Sequence, residues 1–210
     1  MMRRLRSVVR TCLAALLLGG GAASVQAGNQ QYEPLAASVQ AALHAAVADQ
    51  APLDPSFQRS PERARWLAEM SQRLAKRIPD ETARSELLRA VHYEATRAGL
   101  DPQLVLGLIQ VESGFKKYAL SPVGARGYMQ VMPFWARLIG NQETNLFHMR
   151  TNLRFGCTIL RHYLDIEKGD LFRALGRYNG SLGRAEYPNM VRAAWERNWA
   201  YPPLRLASNP

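Results

Sequence analysis

The chain has 210 residues, of which 47% are hydrophobic and 21% charged, with a formal net charge of +10. This balance excludes an intrinsically disordered chain and suits one globular domain with additional segments. The positive charge suits attraction to a polyanion, but no nucleic-acid-binding motif accompanies it, and much of it reads as solvated Arg faces.

The chain opens with a basic head (Arg3, Arg4, Arg6, Arg10), a short apolar run from Cys12 to Leu18, and small residues ending at Val25-Gln26-Ala27. That order predicts a signal peptide over residues 1–27, cleaved after Ala27, and hence a periplasmic or secreted protein. The apolar run is too short to span a bilayer, so no stable membrane insertion is expected. Cleavage removes four Arg and no acid, which lowers the charge from +10 to +6. One cysteine, Cys157, then remains; on an apolar helical position it reads as packing, not as a disulfide partner or nucleophile.

Residues 28–58 read as an N-terminal arm and linker. An Ala-rich helical pattern carries Leu35, Val39, Leu43 and Val47, and Pro52 and Pro55 follow. The main domain is assigned to residues 59–200. Ser60-Pro61-Glu62 combines a cap, a first-turn proline and an acid at the positive end of a helix. Trp66, Leu67, Met70, Leu74 and Ile78 then recur at helical spacing up to Pro79. Asp80 caps a second helix with Leu87, Leu88, Val91 and Ala95 inward, closed by Gly99 as a left-handed residue; His92 on it reads as packed or surface, with no partner at metal-ligand spacing. Asp101-Pro102 starts a third helix, whose apolar pattern ends at Glu112.

Further helices are predicted over 133–139, from Thr151 to about 167 (Leu153, Cys157, Leu160, Tyr163 and Leu164 inward), briefly after Gly169-Asp170, and over 188–199. Residues 176–181 read as turn-rich, and residues 201–210 as an irregular tail. The only strand-like stretch is 128–131. The fold class is therefore mainly α: a helical domain with a short β-ribbon beside the helix that ends at Glu112. No phosphate loop, paired-Cys site or His-Glu-x-x-His motif is present, so neither metal nor other cofactor is expected.

The chemistry concentrates between Val111 and Pro133. Glu112 closes an apolar helix just before Gly114, and the loop beyond is shaped by Ser121-Pro122, Gly124 and Gly127. No other acid occurs between Glu112 and Glu143. Apolar surroundings disfavour an ionised carboxylate, which makes Glu112 a candidate proton donor of the kind used in glycoside cleavage. An isolated Glu at a helix end is more often simply solvated; the ordered Gly, Pro, Met and Gln positions around this one favour a site.

Glu112-Ser113, followed by Ser121-Pro122-Val123-Gly124-Ala125-x-Gly127-x-Met129-Gln130-x-Met132-Pro133, closely resembles the lytic transglycosylase domain of the soluble type, within the lysozyme-like superfamily. Asn152-Leu153-x-x-Gly156 and Tyr178-Asn179-Gly180 stand where that family has its second and third motifs, and the resemblance spans roughly residues 87–199. It implies a lysozyme-like fold and, as partner, the glycan strands of peptidoglycan. It implies Glu112 as the single catalytic acid and base, which first protonates the leaving sugar and then lets the muramyl C6 hydroxyl close a 1,6-anhydro ring without water. Ser121, Gln130, Met132, Tyr178 and Asn179 match family positions that line or contact the glycan. Tyr128 and Ser181 depart from the family pattern, which bears on subsite preference. Two other readings stay open: a goose-type muramidase that delivers water, and a wall-binding module without catalysis.

Overall fold

The computed structural model describes residues 30–48 and 60–201. The expected signal peptide (1–27), the linker prolines and all of the tail but Tyr201 lie outside the described residues. The described residues form eight α-helices: α1 (Ala37–Ala48), α2 (Pro61–Leu74), α3 (Glu81–Arg97), α4 (Pro102–Ser113), α5 (Pro133–Ile139), α6 (Met149–Ile166), α7 (Leu171–Asn179) and α8 (Glu186–Ala194). A π-helical turn, Trp195–Trp199, follows α8 directly. No described helix is long and apolar enough to cross a membrane.

The helix starts follow the residues that announce them. Ser60 accepts from the Arg63 N–H, Asp80 from Ala83 and Asp101 from Gln103, each satisfying an otherwise orphaned donor. Gly99 and Gly114 close α3 and α4 in the left-handed region. Helix α4 is apolar on every side, with Leu104, Val105, Leu106, Leu108 and Ile109 all buried, as befits a helix at the centre of a domain. It packs on α3, α8 and the π-turn. A Cβ on Gly107 would lie 2.9 Å from the Trp195 backbone nitrogen, so only glycine lets α4 approach the π-turn this closely. Helix α1 lies across α5 and α6 and contributes Leu43 and Val47 to the buried core.

Three local expectations are corrected. Residues 176–179 are not a turn but the end of α7; Gly180 in the left-handed region is its terminator, so the Asn-Gly turn signal marks a helix end. The last helix begins at Glu186 and leaves α geometry after Ala194, where the π-turn buries Trp199 completely. The ribbon is smaller than a strand pair: it consists of two isolated bridges, Leu120 with Arg126 and Arg126 with Val131, and no extended strand occurs among the described residues.

A buried ion network ties α3 to α6. Glu94 has no solvent exposure and receives three hydrogen bonds from the Arg154 guanidinium at 2.9–3.2 Å, with Arg97 at 3.1 Å and Arg150 at 3.8 Å. No local sequence pattern marks these residues. Two residues earlier on α3, His92 is 5% exposed and meets Trp66 edge-on, with ring centroids 5.1 Å apart. Burial, reinforced by the charge of Arg63, holds its pKa down from 6.5 to about 4. As pH falls below 6.5 the unfolded chain takes up this proton first, so stability present above 6.5 is lost between pH 6.5 and about 4. The full shift amounts to about 3 kcal/mol. Urea midpoints are expected to fall across that window, and His92→Phe is expected to flatten the slope; an unchanged slope would contradict this.

Candidate functional site

The site forms where the C-terminal end of α4 meets the start of α8 and the ribbon. Glu112 occupies the last turn of α4 and is only 6% exposed, held inward because Gly114 turns the chain sharply away. The Tyr187 hydroxyl, from the first turn of α8, donates to Glu112 Oε1. Both Tyr187 and Tyr178 have phenols held well above their ordinary pKa, first by burial and then by the charge of Glu112. Both therefore remain protonated donors at any physiological pH. Tyr178 spends its proton on the Met129 carbonyl at 2.8 Å, which fastens α7 to the ribbon.

The ribbon is held from below by α6. Asn152 accepts from the Met129 N–H at 2.8 Å and donates to the Arg126 and Leu146 carbonyls at 2.7 and 2.9 Å. Two glycines make room for this clamp. A Cβ on Gly127, which lies at φ +74°, would fall 2.5 Å from the Asn152 amide nitrogen, and one on Gly156 would fall 2.4 Å from the Met129 sulfur. Arg126 and Val131 exchange backbone hydrogen bonds at 3.0 Å. Between them Gln130 sits at φ +47°, a backbone region non-glycine residues adopt at a cost.

The candidate residues divide by what their side chains touch. Tyr178 stands within electrostatic range of Glu112, and Met132 flanks the ribbon, partly buried against the core. Gln130 turns its amide nitrogen inward onto the Ala119 and Gly127 carbonyls, so its side chain braces the loop. Ser121 accepts from the Ala125 N–H, closing its own turn. Asn179 donates to the Ser181 hydroxyl, while its buried Oδ1 has no hydrogen-bond partner among the described residues. Of the aromatics that could stack on a sugar, Phe115 and Trp135 are buried, Phe134 is partly covered, and Tyr118 is 70% exposed. Of the other acids of this half, Asp165 pairs with Arg161, Glu167 pairs with Arg173 and Arg177, and Asp170 caps α7. Among the described residues no group of three or more His, Cys, Asp or Glu could hold a metal.

Tyr187 escaped the sequence reading. It stands one position before Pro188, where the last helix was expected to begin, so it fell outside the periodic run. Its one cue was a phenol at a loop-to-helix junction.

The sequence profile of the transglycosylase SLT domain matches residues 89–196, just over half the chain and nearly all of α3 to α8. The chain belongs to the transglycosylase SLT domain family. Among curated relatives of this SLT chain, a transglycosylase of Enterobacteria phage PRD1 is 40% identical over 88 residues, covering 42% of this chain and 32% of the relative. A membrane-bound lytic murein transglycosylase C of Histophilus somni is 45% identical over 112 residues, covering 46% of this chain and 31% of the relative. The matches thus span about a third of each relative's length. The solved 70 kDa soluble lytic transglycosylase of Escherichia coli aligns over 70% of this chain and 32% of that one, at 18% identity and a TM-score of 0.35.

Proposed function

We propose that this SLT chain is an exported lytic transglycosylase that cleaves the β-1,4 bond between N-acetylmuramic acid and N-acetylglucosamine in peptidoglycan. The reading divides the chain into a signal peptide (1–27), an arm and linker (28–58), the catalytic domain (59–200) and a tail (201–210). The observation that carries it is the inward-facing Glu112, gripped by the protonated Tyr187 at the meeting point of α4, α8 and a glycine-shaped ribbon.

In the proposed reaction the Glu112 carboxyl gives its proton to the leaving glycosidic oxygen as the C1–O bond breaks and the muramyl ring becomes oxocarbenium-like. The resulting carboxylate then takes the proton of the C6 hydroxyl while that oxygen bonds to C1. No water is consumed, and Glu112 ends protonated as it began. Because the ring closes on the sugar's own hydroxyl, this route needs no second carboxylate across the bond, and Asp165, Glu167 and Asp170 are held elsewhere. Tyr187 fixes one carboxylate oxygen, and Tyr178 holds the ribbon against α7. Ser121, Gln130, Met132, Tyr178 and Asn179 contribute as the wall along which the glycan lies, Gln130 chiefly through its backbone.

Digestion of purified sacculi followed by mass spectrometry tests the reading. The expected fragments end in anhydromuramyl residues, one water lighter than hydrolytic products. Reducing muramyl ends would assign a goose-type muramidase instead, and binding of sacculi with no soluble fragments would leave only a wall-binding module.

A further inference from the structure

The arm reaches into the site. Residues 31–34 are exposed, yet Gln30 beside them is buried. Its carboxamide oxygen accepts from the Met132 N–H at 3.1 Å, and its nitrogen faces the Gln130 carbonyl at 3.4 Å. The same carboxamide lies against the Tyr178 hydroxyl. Tyr32 meets Phe134 edge-on at 5.7 Å, and Glu33 pairs with Arg177 at 3.0 Å, so neighbouring residues hold Gln30 in place from two sides.

The two backbone groups it takes are the outward edge of the ribbon. Val131 turns its N–H and C=O towards Arg126, which leaves the Gln130 carbonyl and the Met132 N–H on either side of it to meet Gln30. That edge is one acceptor and one donor, a pair that an amide satisfies. Peptidoglycan carries amides along its length, in the acetamido groups of its sugars and in its peptide stems. Gln130 is itself held in a costly backbone conformation that keeps its carbonyl aimed at this edge.

We propose that Gln30 is a built-in stand-in for a substrate amide: it occupies the ribbon edge in the resting protein and is displaced when a glycan strand binds. The proposal rests on the peptidoglycan reading above. The arm then works as an autoinhibitory contact that taxes binding, since the competent state is only the fraction of molecules with the edge uncovered.

Isothermal titration of the full chain with two probes separates the possible sources of the amide. Tetra-N-acetylchitotetraose offers acetamido groups alone, and N-acetylmuramyl-L-alanyl-D-isoglutamine adds a peptide stem. Gln30→Ala is expected to tighten at least one of them roughly tenfold, the scale of losing two competing hydrogen bonds; whichever probe tightens identifies the amide. Glu33→Gln, which loosens the arm away from the site, is expected to act in the same direction and more weakly. With sacculi as substrate, Gln30→Ala is expected to lower KM and leave kcat unchanged. Equal or weaker binding of both probes by Gln30→Ala overturns the proposal, as does the absence of binding by either protein. Failure of the catalytic reading looks different: the variant still tightens a probe, yet neither protein releases fragments.

Discussion

Replacing Glu112 by Gln is expected to lower the release of soluble glycan fragments by roughly 10²–10⁴-fold, the range that a positioned proton donor contributes. The substitution keeps the size of the side chain and its ability to accept from Tyr187, so packing around α4 and α8 survives. What disappears is a proton that can leave and return. Circular dichroism and thermal unfolding should therefore match the parent while turnover collapses. Tyr187→Phe is expected to lose a smaller factor, because it frees the carboxylate to rotate without removing it. Should Glu112→Gln retain more than about a tenth of the parent rate, the acid lies elsewhere, since so small a loss falls short of proton-transfer catalysis.

Replacing Glu94 by Ala is expected to cost about 3–5 kcal/mol of stability, the typical loss when one member of a buried ion pair is removed. The Arg154 guanidinium is itself buried and directs three hydrogen bonds at Glu94, so the substitution strands a cation between α3 and α6. Against a domain stability of about 5–15 kcal/mol this is a large fraction. It should lower Tm by about 10 °C, at the 2–4 °C per kcal/mol usual for chains of this size. Urea titration at neutral pH reads it directly. The double substitution Glu94→Leu with Arg154→Leu is expected to recover much of the loss, because neither charge then remains in the interior. A single-variant loss below about 1 kcal/mol would mean that water reaches the pair, as it does for exposed ion pairs.

Neither charge of that pair was visible in the sequence, and the reason is general. Caps, terminators and inward stripes are local: Ser60, Asp80, Gly99 and Gly114 declare themselves by their immediate neighbours, and the structure uses each of them as its pattern predicts. The ion network joins residues sixty positions apart, and Glu94 looks like any acid near the end of a helix until α6 is laid over it. The same holds at the site. The end of α4 and the glycine-shaped loop were legible, but Tyr187 reaches Glu112 across 75 positions and Gln30 reaches Gln130 across 100. Gln130 shows a subtler limit. Its match to the family motif implied a position lining the glycan but not which of its groups would do so; in the structure its side chain turns inward onto the Ala119 and Gly127 carbonyls and its peptide carbonyl meets Gln30.

Because Asn152 grips the base of the ribbon from a helix, the tip of the loop has little to do with holding it up. Pro122 and Val123 project into solvent, while Met129 is held through its N–H by Asn152 of α6 and through its carbonyl by Tyr178 of α7. On the proposed reading, length changes at that tip reshape what a bound glycan meets without disturbing the register of the residues beneath. Grafting loops of different reach between positions 121 and 125 is thus a natural route to altered glycan preference on an unchanged scaffold.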